Sequence, residues 1–295
     1  MKKRAYTLLS MWIAMFLLAG CADMEEETEV MLQETTSEVM HSQETVVVEE
    51  SQEEIHSSAE EIPLPLTMRD FLEAALLPVG NTMYVWGGGW NEEDTGAGPG
   101  ATTIGLPEEW SAFASGQDSS YDYKEHKYEI MNGLDCSGYV GWVVYNLFEQ
   151  ENGGEGYVFK STETAERYSQ LGWGQYIEDP KEFLPGDIVS MKGHVWISLG
   201  MCEDGSVVVL HASPPGVSIC GTPALEDQES QAIRLAQSYM EKYYPKWQEK
   251  FPNRKVNTSY LQNVTVMRWS EAVLAEAKVW QDMTAKEVLQ ELWKE

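Results

Sequence analysis

The chain has 295 residues, with 48 acidic and 20 basic side chains and a formal net charge of −28 at pH 7. No stretch offers the basic face that phosphate neutralisation needs, so nucleic acid is excluded as a partner. The one long apolar run is N-terminal, which excludes a helical membrane bundle. The 43% apolar and 11% aromatic content suits an ordinary globular unit of about 230 residues.

Residues 1–21 read as an address. Lys2, Lys3 and Arg4 precede an apolar stretch from about Tyr6 to Leu18, too short for a comfortable membrane span. Leu18-Ala19-Gly20-Cys21 resembles a bacterial lipobox, in which the Cys thiol receives a diacylglycerol and becomes the mature N-terminus. Two acyl chains anchor stably where one does not. The expectation is an exported protein, held by a lipid at Cys21 outside the cytoplasmic membrane. Residues 22–63 hold fourteen acids and no Lys or Arg. Such composition cannot bury enough surface to offset chain entropy, so the segment reads as a disordered tether. His41 and His56 within it read as solvated. A docking tail for a cationic partner is the sharper alternative.

Residues 64–295 carry the fold. Thr67–Leu77 reads as a helix with Thr67 and Asp70 in a capping pattern. Residues 87–134 show little periodicity and read as a long loop region with a short helix around Glu108–Phe113. Over 136–149, Val140, Val143, Val144, Leu147 and Phe148 repeat at helical spacing and predict one apolar face. Another helix is expected over Thr162–Leu171. Strand signals follow at Asp187–Met191, His194–Leu199, Val207–His211 and Val217–Ile219, with Asp204-Gly205 as a hairpin turn. Then come a helix over 225–244, a strand over Val264–Trp269 and a helix over Thr284–Trp293 with a Thr284/Glu287 capping box. Helices followed by a mostly antiparallel sheet is an α+β pattern.

Chemistry concentrates in three residues. Cys136 immediately precedes the strong helix, where free amide donors and the helix dipole are expected to lower its thiol pKa. His194 opens one strand and His211 ends the next. The turn between them makes these strands an antiparallel pair, which brings both imidazoles to one end of the sheet. A thiol helix packed there makes a Cys–His nucleophilic pair with an orienting third group. Cys136 attacks a carbonyl, His194 moves the proton and His211 fixes the ring of His194.

Tyr84-Val85-Trp86-Gly87-Gly88, Asp135-Cys136-Ser137-Gly138, Leu184-Pro185-Gly186-Asp187, Gly193-His194-Val195 and Leu210-His211-Ala212, in that order, resemble the NlpC/p-sixty family of papain-like cysteine peptidases. The resemblance covers roughly residues 67–221. It implies a papain-like NlpC-type fold and hydrolysis of cell-wall (peptidoglycan) stem peptides, after D-glutamate and before a diamino acid. By position Cys136 is the implied nucleophile, His194 the base and His211 the third member. Tyr84 is the implied oxyanion partner. Asp135 meets a free amine of the peptide or caps the helix, and Ser137 falls beside them in the implied substrate-binding set. The Cys136 N–H is a natural oxyanion donor. Departures from the family pattern are Trp196 in place of a small residue and two insertions, about 89–133 and 222–262. The aromatics Trp90, Trp110, Tyr121 and Tyr123 in the first pack locally or contact substrate, and His126 reads as a solvated loop residue.

No metal or other cofactor is implied, since no CxxC or HxxxH pair occurs. Cys202 and Cys220 follow the first and third strands of a meander, too far apart for a disulfide. Two rival readings stay open: an N-acetylmuramoyl-L-alanine amidase or acyltransferase of the same fold, and a non-catalytic envelope scaffold or binding lipoprotein.

Overall fold

Thr67 opens the first helix, α1 (Met68–Leu76), through a reciprocal capping box. Its hydroxyl accepts from Asp70 N–H, and the Asp70 carboxylate accepts from Thr67 N–H. Two amides that helix geometry leaves unpaired are thereby satisfied. The computed structural model describes residues 65–224 and 229–294. The expected leader with Cys21, the acidic segment with His41 and His56, and residues 225–228 of an expected helix lie outside them.

After α1 come β1 (Met83–Tyr84), a 3₁₀ turn (Pro99–Thr102), α2 (Glu108–Gly116), β2 (Gly133–Leu134), α3 (Cys136–Phe148) and α4 (Thr164–Gln170). The sheet-forming stretch then runs through β3 (Gly174–Glu178), β4 (Ile188–Met191), β5 (His194–Met201), β6 (Val207–Ser213) and β7 (Gly216–Gly221). Helices α5 (Gln231–Tyr243) and α6 (Pro245–Lys250), a 3₁₀ turn (Thr258–Leu261), β8 (Thr265–Trp269), α7 (Ala277–Gln281) and α8 (Ala285–Trp293) complete the order.

The result is a mixed α and β structure around one eight-stranded sheet, ordered β2-β1-β7-β6-β5-β4-β8-β3. Every neighbouring pair is antiparallel except the short β1–β2 pair. Period-two alternation sorts side chains onto two faces. Val195, Ile197, Leu199, Val208, Leu210 and Ala212 enter the larger core with α1, α3, α5 and α8. Trp196, Val207, Val209 and Cys220 enter a smaller core closed by Val256 and Val264. The last part of the second insertion, with Val256, Tyr260 and Leu261, therefore covers the sheet face opposite α3, whereas its helices α5 and α6 join the larger core.

Helix α3 departs from the expected single apolar face. Tyr139, Val140, Trp142, Val143, Val144 and Tyr145 are all fully buried. The helix packs against α1 on one side and β5 and β6 on the other, so it has no solvent face to keep polar. β1, β2, β3, α6 and α7 carry too short a pattern to be read from sequence. The helix expected over 225–244 begins at Gln231, where Ser230 caps it.

β8 is fastened by charge as well as by its ladder. The Arg268 guanidinium grips buried Asp187 through Nε (2.9 Å) and Nη2 (2.8 Å). Asp187 Oδ2 also accepts from Leu184 N–H at 2.8 Å. The aspartate of the Leu184-Pro185-Gly186-Asp187 motif thus holds the entry of β4 against β8. Cys202 and Cys220 are free thiols, and β6 lies between β5 and β7.

Candidate active site

Asp135 is the N-cap of α3, and its Oδ1 accepts from Gly138 N–H at 2.8 Å and Ser137 Oγ–H at 2.9 Å. Cys136 is therefore the first helical residue, with an amide that has no intrahelical acceptor. The Gly-rich turn after β1 lies directly over this helix start. Asp135 N–H donates to Gly88 O at 2.9 Å, and Trp90 Nε1–H donates to Ser137 Oγ at 3.0 Å. A Cβ on Gly138 would sit 2.0 Å from Gly88 O, so only glycine admits the approach. This close packing explains why two motifs rich in glycine, fifty residues apart, belong to one site. Asp135 and Ser137 act as the frame of the Cys136 thiol.

His194 follows the tight Lys192-Gly193 turn and is the first residue of β5, paired with Met191. The Ile197–Leu210 register puts His194 and His211 on the same sheet face. Their rings meet nearly edge to face, centroids 5.2 Å apart, and His194 Nε2 lies 3.0 Å from His211 Nδ1. That contact occupies Nε2, leaving Nδ1 of His194 for a thiol proton. Among the described residues no hydrogen bond joins Cys136 Sγ to His194. The neighbouring Val195 N–H faces the sulfur, which puts the start of β5 against the start of α3. Such contacts commonly tighten only when substrate binds.

Sequence reasoning missed Tyr260. It comes from the second insertion, 49 residues beyond His211, and its hydroxyl lies 3.3 Å from His211 Nδ1. Its ring also packs on His194, centroids 5.2 Å apart. No motif marks it, and only the return of the chain over the outer sheet face brings it here.

Electrostatics correct the expected low thiol pKa. Burial, then the Asp135 charge, pushes Cys136 up to about 12, outweighing the amides of Val195, Ser137 and its own residue. Burial pulls His194 down to about 4. His211 lies well below its ordinary value because of burial, His194 and the Arg254 guanidinium. The resting site is thus a neutral thiol beside neutral imidazoles. If His194 Nδ1 is the proton acceptor, its proton sits on Nε2 and is donated to His211 Nδ1. Burial raises Asp135 to about 6 despite its hydrogen bonds, and burial raises Tyr84 and Tyr260, which keeps both phenols protonated.

Cys136 opens into a cavity of about 300 Å³ lined by Tyr84, Trp86, Trp90, Asp94 and Asp135. Tyr84 thus shares the thiol's cavity. Its backbone is held by Tyr121 Oη–H, which donates to Tyr84 O at 2.7 Å, and its ring meets Tyr123 edge on. Trp110 is fully buried against Trp142. His126 is no free loop residue: it stacks on Tyr121 and bonds Glu129 at 3.0 Å. The first insertion needs this aromatic cluster because it has few regular elements of its own.

In comparisons with protein-family models, curated proteins and solved structures, the chain matches none.

Proposed function

We propose that this protein is a cysteine endopeptidase of the papain-like NlpC type that hydrolyses cell-wall stem peptides. The observation that carries the proposal is the His194–His211 contact of 3.0 Å beside a helix-start cysteine. A pair of neutral imidazoles at the start of β5, whose Val195 N–H faces a buried thiol, supplies the parts of a proton path. The order of the five motifs supports the substrate class.

The reaction begins with the thiol intact, since its proton is held tightly. Cys136 Sγ passes its proton to His194 Nδ1 as it attacks the scissile carbonyl. His211 accepts from His194 Nε2–H and holds the ring in the useful tautomer. The oxyanion meets the Cys136 N–H and the Tyr84 hydroxyl, donors already in place before charge develops. Collapse of the tetrahedral species breaks the C–N bond, and the leaving amine takes its proton from His194. Water then gives a proton to His194 as it attacks the thioester carbon; the C–S bond breaks, the acid is freed and His194 returns the proton to Cys136 Sγ. The proposal includes export and a lipid anchor at Cys21, on the strength of the lipobox-like Leu18-Ala19-Gly20-Cys21.

Mass spectrometry of muropeptides after digestion, with Cys136→Ala as control, tests this. Stems cut within the peptide support it. Intact stems released from glycan would instead mark an amidase, and identical behaviour of the two proteins on purified wall would mark a scaffold.

A further inference from the structure

Two cavities flank the thiol–imidazole centre, and their charges differ. The one at Cys136 has Asp94, Asp135 and a single lysine, Lys160, in its wall, so carboxylates outnumber cations there. The other, about 540 Å³, is lined by His211 and Tyr260 and by two lysines, Lys250 and Lys255, with no Asp or Glu. In a chain with 48 acids and 20 bases, a wall with two cations and no carboxylate departs from the prevailing charge. Beside Lys255 in the chain lies buried Arg254, which among the described residues donates to the carbonyls of Ile219 and Phe251. Lys250 Nζ is already committed to the carbonyls of Ser115 (3.1 Å) and Gln117 (2.7 Å) at the end of α2. Lys255 is exposed, and its ammonium makes no ion pair among the described residues.

The side of the centre matters. An acyl group bound to Cys136 and the amine it releases lie on opposite sides of the scissile carbon. The amine takes its proton from His194, so the leaving segment lies on the histidine side, where His211 forms part of this second wall. Resting on the peptidase function proposed above, we infer that this cavity is a leaving-group subsite for a peptide segment bearing a carboxylate, with Lys255 as the selecting charge. The subsite is built by residues of the two insertions, Lys250, Lys255 and Tyr260 from one and Tyr121 from the other. The insertions thereby serve substrate choice. A peptide crossing the centre would run from a carboxylate-bearing cavity that suits its amine end to a lysine-bearing one that suits its acid end.

The test uses the full chain and two synthetic peptides, L-Ala-γ-D-Glu-L-Lys-D-Ala with a free C-terminal carboxylate and the same peptide as its C-terminal amide. Wild type should favour the acid in kcat/KM by about threefold to tenfold, and Lys255→Glu should bring that ratio to about one or invert it. Calorimetry on Cys136→Ala should show the same preference in binding, weakened by added salt. Equal use of both peptides by wild type, or a ratio unmoved in Lys255→Glu, would overturn the subsite while leaving the peptidase standing. Selective binding by Cys136→Ala, abolished by adding Lys255→Glu, without cleavage by wild type would overturn the peptidase and the leaving-group role, and leave a carboxylate-binding site at Lys255. Equal or absent binding of both peptides without cleavage would overturn both.

Discussion

His194 Nε2 lies 3.0 Å from His211 Nδ1, and the contact decides which nitrogen of His194 is left for chemistry. Without His211 the imidazole loses its tautomeric preference and its orientation together. His211→Ala should therefore lower kcat by about 10- to 100-fold, the cost of about 1.4–2.7 kcal/mol in the transition state. KM should change less, because His211 is one part of the subsite wall and the selecting charge, Lys255, stays in place. Steady-state kinetics on a stem peptide check this; an equal rise in KM with kcat retained would contradict it.

Tyr260 acts on the reaction through His211 and is a positioning residue. Tyr260→Phe keeps the ring that packs on His194 and Trp196 and removes only the hydroxyl 3.3 Å from His211. Kcat should fall by about threefold to tenfold, as expected for one neutral hydrogen bond, with stability almost unchanged. Tyr260→Ala should lose more of both. A pH–rate profile shifted on its acid limb in Tyr260→Phe distinguishes a hydroxyl that tunes the pair from one that merely fills space.

pH acts through burial. His194 titrates at about 4 in the fold and at about 6.5 when unfolded, so the unfolded chain binds more protons between those values. Its contribution to stability is complete above about pH 6.5 and is lost as pH falls toward 4. Cys136 runs oppositely: its folded pKa of about 12 exceeds the ordinary value of 9.0, so its contribution fades as pH rises above about 9. Two measurements follow. Activity should keep its base form down to mildly acidic pH, and alkylation of Cys136 by iodoacetamide should be slow at pH 7 and accelerate through alkaline pH. Rapid alkylation at pH 6 would show a thiolate already formed.

Buried Asp187 is paired with a part-exposed Arg268. Asp187→Ala leaves the Leu184 N–H unpaired and the part-exposed guanidinium with Glu182 alone, and should cost about 2–3 kcal/mol. Chemical denaturation reads this directly. Since Asp187 holds β4 to β8 and touches no reacting group, the folded fraction should keep its KM.

Gly138 is constrained by geometry alone. Gly138→Ala puts a methyl 2.0 Å from Gly88 O, which no rotamer relieves. The turn over the helix start must move, taking the Asp135–Gly88 and Trp90–Ser137 bonds with it. A loss of several kcal/mol is expected, about 2 or more, as for overpacking. Wild-type melting behaviour in this variant would refute the close approach.

Local signals were legible where a short stretch of chain suffices to cause the feature. Thr67 with Asp70 and Thr284 with Glu287 form the capping boxes their spacing predicts, and Asp135 caps α3. The Asp204-Gly205 turn joins β5 to β6, which is why the meeting of His194 and His211 followed from strand order. Other expectations yielded to their surroundings. His126 reads as a polar loop residue until Tyr121 stacks on it. β1 and β2 are two residues each, far below any periodicity, and exist only because Met83 pairs with Gly133 and Gly216.

The thiol shows the division most clearly. By itself the sequence determined that Cys136 begins a helix, that two histidines share a sheet end and that the whole balance of charge is acidic, because caps, turns and alternation act over a few bonds. Tertiary structure alone decided how deeply that thiol is buried, that Tyr260 reaches His211 from 49 residues away, and that two lysines gather where no acid lies. Desolvation, long-range closure and local field depend on everything packed around a group, and no short window of residues contains that.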